Sequence, residues 1–218
     1  MLIKKLVLQT AYLQTLKEFY SSILELPVQI TGEGLEIQAG STRLIFTESG
    51  EAEPFYHFAF NIPANKIEEA KNWLKPKVKL FWINENQNEI ADFVSWNARS
   101  IYFSDPAGNI LEFIARFDLK NEMVENFSSR QIVSVNEIGL VFKEKDLDER
   151  TNELLNNFQL QYFSKQPPLP QFRALGDDEG LFIVVPGHRN WYPTAKPSAI
   201  APLKVEFESG SQLFSLSL

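Results

Sequence analysis

The histidine and cysteine content of this chain of 218 residues restricts the chemistry that it can do. The sequence has no cysteine, and its two histidines are His57 and His188. The lack of cysteine excludes disulfides, zinc–thiolate sites and thiol nucleophiles. Neither histidine lies in a nucleophile-elbow sequence, and no Walker loop, GxGxxG turn or HExxH helix is present. Histidine and carboxylate side chains are therefore the remaining candidates for a catalytic or metal site.

Glu112 is the carboxylate with the most unusual neighbours. It lies in the apolar run ILEFI, within the stretch SIYFSDPAGNILEFIAR at residues 100–116. This stretch predicts a strand, a tight turn and a second strand, because Pro106 fixes φ and Gly108 accepts a positive φ. A carboxylate in so apolar a strand needs an ionic, hydrogen-bonding or metal partner.

The composition limits the partners of the protein. Hydrophobic residues make up 44% of the chain and charged residues 22%, which is typical of a globular protein. The formal net charge of −7 disfavours nucleic acid and anionic membrane surfaces. Gln9, Gln14 and Lys17 interrupt the first apolar run, so it predicts neither a signal peptide nor a membrane span. We expect a cytoplasmic protein whose partner is a small molecule.

The elements recur in the order β-α-β-β-β. Period-2 runs predict strands and runs with helical spacing predict helices. The first unit comprises IKKLVLQT, the helix LQTLKEFYSSILEL, PVQITG, GLEIQAG and TRLIFTES. The second comprises PFYHFAFNIP, the helix ANKIEEAKNWLKPK, VKLFWIN, DFVSWNARSIYFSDP and GNILEFIAR. The third comprises VNEIGLVF, the helix KDLDERTNELLNNF with Asp146 as its candidate N-cap, LQYFSK and the hairpin FRALGDDEGLFIVVP. A fourth unit begins with PLKVEFES and QLFSLSL.

Each unit has one apolar sheet face, which it can bury only against another unit. We therefore predict an α+β fold of repeated β-α-β-β-β units, paired into curved mixed sheets that form a cup. The expected domains are residues 1–118, with two paired units, and residues 130–218, with the third unit and the start of a fourth. The segment QPPLPQ predicts a rigid loop inside the third unit.

The repeat and the ending YFSDPAGNILEF resemble the vicinal oxygen chelate superfamily, over roughly residues 3–117. This group includes glyoxalase I, bleomycin-resistance proteins, fosfomycin-resistance enzymes and extradiol dioxygenases. The resemblance implies a cup whose metal ligands come from the first and last strands of each unit. In the enzymes a divalent ion chelates vicinal substrate oxygens. Members often complete their cups by dimerisation, so a homodimer is expected.

Transferred by position, the resemblance implies that His57 and Glu112 occupy the two ligand positions of the second unit. In the first unit Lys5 and Ile45 stand at those positions and cannot ligate a cation. In the third unit the positions hold Glu137 and Ile183. A lone glutamate is more often solvated or hydrogen-bonded than a ligand, so Glu137 is not expected to act.

Two functions follow from this pattern. The favoured one is a metal-independent small-molecule-binding protein with a degenerate metal site, like bleomycin-resistance proteins, in which Lys5 forms a salt bridge with Glu112. The alternative is a metal-dependent lyase, isomerase or dioxygenase that uses His57 and Glu112 as catalytic and metal-binding residues. The cofactor is accordingly none or a divalent metal ion.

The ligand-binding residues expected in the cup are Lys5 and aromatic residues of the second unit, namely Trp82, Phe93 and Trp96. A further segment, PGHRNWYPT, has two interpretations. His188, with its neighbours Arg189, Trp191 and Tyr192, could form an aromatic and cationic rim over a ligand. The favoured interpretation is a loop that Trp191 anchors to the core, with His188 and Arg189 exposed.

Overall fold

The computed structural model describes residues 1–50 and 52–218. The strands are β1 Leu2–Thr10, β2 Val28–Thr31, β3 Gly34–Ala39, β4 Thr42–Glu48, β5 His57–Ile62, β6 Ala91–Phe93, β7 Ala98–Ser104, β8 Ile110–Arg116, β9 Ser134–Phe142, β10 Arg173–Asp177, β11 Gly180–Pro186, β12 Leu203–Ser209 and β13 Gln212–Ser217. The helices are α1 Leu13–Glu18, α2 Ile67–Leu74 and α3 Leu147–Asn157. A π-helical turn, Phe19–Ile23, continues α1.

The strands form two mixed sheets, which confirms the predicted α+β fold. The seven-stranded front sheet has the order β10-β11-β9-β5-β8-β7-β6, and the six-stranded back sheet has the order β13-β12-β1-β4-β3-β2. The front sheet therefore combines the second and third units, whereas the back sheet combines the first unit with the hairpin of the fourth.

This pairing differs from the expected pairing of the first unit with the second. At the centre of the front sheet, β5 is parallel to β8 and antiparallel to β9. In the back sheet β1 is antiparallel to β12. Both halves of the chain contribute strands to each sheet. The domain boundaries at 118 and 130 remain a prediction.

The main hydrophobic core lies between the two sheets. Alternation along β5 places Phe58, Phe60 and Ile62 in this core, while the small Ala59 belongs to a second apolar cluster on the opposite, open face. That open face of the front sheet is the cup. Because successive side chains of a strand point to opposite faces, only every second residue of β5 faces the cup and can contribute to a site.

Two predicted strands are wrong. The segment VKLFWIN, residues 78–84, forms no strand; Phe81 donates a single backbone hydrogen bond to Tyr102 O (2.8 Å). LQYFSK forms only an isolated bridge between Tyr162 and Leu175. The prolines of the QPPLPQ loop follow directly, and proline cannot donate to a ladder.

The other local predictions have mixed outcomes. Asp146 is the residue before α3, but its side chain makes no capping hydrogen bond. Gly108 has φ of 79°, as the turn after β7 requires. No helix in the described residues is long and apolar enough to cross a membrane.

Candidate metal and ligand site in the cup

The register of the front sheet places two carboxylates on either side of a small residue. Ala59 on β5 lies opposite Glu112 of β8 on one side and Glu137 of β9 on the other. Because all three residues face the cup and Ala59 has only a methyl group, space remains between the carboxylates. His57 is two residues from Ala59 on the same strand, so its ring faces the same space.

His57, Glu112 and Glu137 form a buried cluster. One ligand atom from each side chain lies within 4.8 Å of the other two. His57 Nε2 is 3.6 Å from Glu112 Oε2. The histidine is 6% exposed, and the two glutamates are 2% and 3% exposed. This arrangement brings together the histidine and carboxylate that the sequence predicted and adds Glu137, which it did not.

The orientation of His57 leaves one ring nitrogen available. Nδ1 lies 3.1 Å from the carbonyl oxygen of Ile110, which can only accept a hydrogen bond. Nδ1 therefore carries the proton, and Nε2 presents its lone pair to the carboxylates. Burial, with a smaller contribution from the charge of Arg189, lowers the pKa of His57 to about 4, although the hydrogen bond to Ile110 O opposes this shift. The imidazole is thus neutral at physiological pH.

Glu112 is protonated at neutral pH. Burial raises its pKa to about 8, and the negative charge of Glu137 acts in the same direction. The Tyr102 hydroxyl and the Arg116 guanidinium favour the ionised form, but their effect is smaller. A neutral imidazole and a protonated carboxyl group therefore stand together, which is the composition of a proton-transfer pair.

Arg116 compensates the charge of Glu137. The guanidinium is fully buried, pairs with the Glu137 carboxylate, and donates through Nε to Asn136 Oδ1 at 2.8 Å. The register shifts between Ala59 and Phe60 on β5, which leaves Asn136 as the extra residue of a β-bulge on β9. Burial raises the pKa of Glu137, and Arg116 opposes that shift.

The cluster fits a divalent metal ion. Its imidazole and carboxylate donors suit Mn, Fe, Ni or Zn. The hydrogen bond from His57 Nδ1 to a backbone carbonyl is the support that metal-ligating histidines usually have. The unused ligand position of the third unit holds Ile183, so the protein supplies at most three side-chain ligands from these positions.

Above the cluster lies a cavity of about 310 Å³. Its floor contains the three cluster residues, and its walls are mainly aromatic. The wall residues are Phe93, Trp96, Tyr102, Phe172, Trp191 and Tyr192, with Ser95, Gln166, Leu169, Ile183 and Arg189. Two aromatic residues predicted to line the cup, Phe93 and Trp96, therefore lie there.

Other predicted site residues lie elsewhere. Trp82 is 56% exposed and does not line the cavity. Lys5 lies in the back sheet, where its Nζ is 2.7 Å from Glu33 Oε2. The proposed Lys5–Glu112 salt bridge is therefore wrong, because the first unit pairs into the other sheet. Ile45 is buried on β4 of that same sheet.

The PGHRNWYPT segment matches neither interpretation completely. His188 is exposed, as the favoured interpretation predicts. Arg189, Trp191 and Tyr192, however, line the cavity and form part of its rim. The Trp191 ring centroid is 4.9 Å from that of His57. The segment is therefore both a core anchor and a wall of the cup.

Gly139 makes the position of Trp191 possible. A Cβ atom at this position of β9 would lie 2.6 Å and 2.9 Å from Trp191 ring carbons. The indole consequently rests directly on the backbone of β9, beside His57. No sequence pattern predicted this contact, because an isolated glycine in a strand indicates close packing without identifying the partner.

Comparison with known proteins identifies the fold. No family model matches the sequence, and no curated protein matches it. A candidate dioxygenase of Bacillus subtilis superimposes with a TM-score of 0.58 at 13% identity, covering 100% of this chain and 84% of that one. Glyoxalase I from Zea mays superimposes with a TM-score of 0.56 at 13% identity, covering 90% of this chain and 70% of that one. The present chain therefore has the fold of these two proteins, which is the fold that the resemblance to the vicinal oxygen chelate superfamily implies.

Proposed function

We propose that this chain is a metal-dependent enzyme acting on a small organic molecule, with His57, Glu112 and Glu137 as the metal ligands. The observation that carries the proposal is the convergence of these three buried donors at the base of a cavity. A divalent ion bound there would chelate neighbouring oxygen atoms of a substrate and stabilise negative charge on them. The reaction class is that of the superfamily resemblance: lyase, isomerase or dioxygenase.

The residues around the cluster have separate roles in this proposal. In the absence of metal Glu112 holds a proton at neutral pH, and it would release this proton on ligating the ion. Arg116 opposes the rise that burial causes in the pKa of Glu137, and it fixes the orientation of that carboxyl group. Trp191 and Tyr192 line the cavity, where their rings would displace water from around a bound substrate.

A metal-free binding protein is the second candidate, and one observation favours it. Arg116 already compensates Glu137, and a proton already compensates Glu112, so the cluster is electrically balanced without an ion. In that case the cup would bind its ligand through aromatic contacts and hydrogen bonds alone. The expected homodimer and cytoplasmic location fit either candidate and remain predictions.

Metal analysis separates the two candidates. Protein purified without chelator should contain close to one equivalent of a divalent ion, or take up one equivalent of Mn²⁺ on titration. Glu112→Gln should weaken Mn²⁺ binding by at least tenfold, because an amide is a poorer ligand than a carboxylate. Glu36→Gln, which changes a buried glutamate of the back sheet, is the matched control.

A metal content below a tenth of an equivalent, with no uptake of Mn²⁺, would exclude the enzyme proposal. A ligand that raises the melting temperature without added metal would then support the binding protein.

A further inference from the structure

Arg189 is held at the wall of the cup by a well-bonded loop. The loop follows β11, and its backbone is fixed by hydrogen bonds from His188 N to Ser198 O (2.9 Å), Ser198 N to Arg189 O (2.8 Å) and Trp191 N to Lys196 O (2.9 Å). The guanidinium carbon lies 5.2 Å from the centre of the Phe172 ring. A cation–π contact with this ring does not use up the N–H donors of the guanidinium fork.

No carboxylate in the described part of the chain pairs with Arg189. Its one side-chain hydrogen bond goes from Nη1 to the carbonyl oxygen of Asn190, at 3.3 Å. Arg116 and Arg173, by contrast, each pair with a carboxylate. Arg189 is half-buried, and this burial lowers its pKa. A partly desolvated cation without a counter-charge, facing a cavity, is suited to an anionic ligand.

The cavity orients such a ligand. Its base contains the protonated Glu112 and the Glu137–Arg116 ion pair, which carry no net charge, whereas Arg189 on the wall carries an uncompensated positive charge that attracts an anion. The walls also present the aromatic rings of Phe93 and Trp96. A volume of about 310 Å³ is at the lower end of the range for small-molecule sites, so the body of the ligand is limited to one or two rings.

We propose that the cup binds a small aromatic carboxylate, with its carboxylate on Arg189 and its opposite end directed at His57 and Glu112. A carboxylate is favoured because its two oxygens match the planar guanidinium fork. The inference rests on the proposed function, to which it adds the substrate class. It makes Arg189 the residue that selects the charge of the substrate.

Paired acids and amides test the charge selection. Benzoate, 4-hydroxybenzoate and 2-naphthoate are titrated into chelator-treated protein by calorimetry, each alongside its primary amide. At least one acid should bind ten times more tightly than its amide, which has the same shape without the charge. Arg189→Met should reduce this preference to less than threefold. Arg189→Lys should give an intermediate value, since an ammonium group cannot form the two parallel hydrogen bonds.

Arg150→Met is the control, because Arg150 is an exposed arginine on α3, paired with Glu153 and away from the cavity. Near-ultraviolet circular dichroism tests whether each variant is folded. If Arg189→Met does not fold, Arg189→Lys provides the comparison with the wild type. The proposal is overturned if no acid is preferred to its amide, or if the preference survives in Arg189→Met. Because metal is absent from this assay, its outcome is independent of the metal titration.

Discussion

At the scale of single residues, Glu112 is where the electrostatics of the cup can be measured. Its carboxyl group is almost fully buried, beside a second carboxylate and a neutral imidazole. Burial alone disfavours its ionised form, and the charge of Glu137 adds to that effect. The proton of Glu112 is therefore part of the folded structure in the absence of metal.

This proton predicts that stability falls with rising pH. An unfolded glutamate loses its proton near pH 4.3, whereas folded Glu112 retains it until about pH 8. Between these values the unfolded state binds fewer protons, so raising the pH favours unfolding. His57 acts in the opposite direction, because its pKa is lowered to about 4 in the folded state. Its contribution to the unfolding free energy rises with pH, mainly between pH 4 and 6.5. The window from pH 6.5 to 8 therefore separates the titration of Glu112 from that of His57.

In buffer with chelator, the unfolding free energy of the wild type should fall by roughly 1–2 kcal/mol across this window. Denaturant unfolding at several pH values measures it. Glu112→Gln should remove most of the decline, while Glu36→Gln should keep it, because the pKa of Glu36 is lowered by Arg43 and lies below this window. A decline of equal size in Glu112→Gln would assign the titration to another group.

At the scale of elements, β9 serves the site in two ways. Its bulge at Asn136 places Glu137 in the cluster and brings Asn136 to Arg116. Three residues after the bulge, Gly139 admits the Trp191 ring from the loop that follows β11. One strand therefore positions both a candidate metal ligand and an aromatic wall, so a small change in β9 should alter the shape of the cup.

Gly139→Ala tests this coupling. The added methyl group would overlap the indole at 2.6 Å, so Trp191 must move away from β9. We expect a loss of about 1–3 kcal/mol of stability, the usual cost of overpacking, together with a change in tryptophan near-ultraviolet circular dichroism. Gly187→Ala is the matched control, because its Cβ would come no closer than 3.9 Å to another residue. Unchanged stability and spectrum in Gly139→Ala would show that Trp191 is not held against β9.

The elements also show what the sequence could predict. Local pattern predicted β8 and its turn, because DPAGN has defined turn chemistry and ILEFI is apolar. The role of Glu137 was missed because alternation indicates which face of a strand is apolar but not which unit pairs with which. Pairing of the second and third units depends on long-range contacts between β5 and β9. Only the match of Glu137 to a first-strand ligand position offered a signal.

At the scale of the whole molecule, the two sheets enclose one core, and a buried hydroxyl links them directly. Thr42 Oγ1, in β4 of the back sheet, donates to Ile3 O at 2.7 Å and accepts from Val135 N at 3.0 Å. Val135 belongs to β9, the strand that carries Glu137. The threonine is fully buried, so water cannot replace either hydrogen bond.

Thr42→Val should therefore destabilise the whole molecule. The change keeps the shape of the side chain but leaves the Val135 N–H and one acceptor site of Ile3 O unsatisfied, at a cost of about 1–3 kcal/mol. Because the orphaned N–H lies on β9, hydrogen exchange should accelerate at the front sheet as well as the back sheet. Thr47→Val is the control, because Thr47 lies on the same strand, is half-buried and donates a long hydrogen bond of 3.4 Å to Leu8 O. If exchange accelerated only in the back sheet, the sheets would open independently, and the cup would not depend on the first unit for its stability.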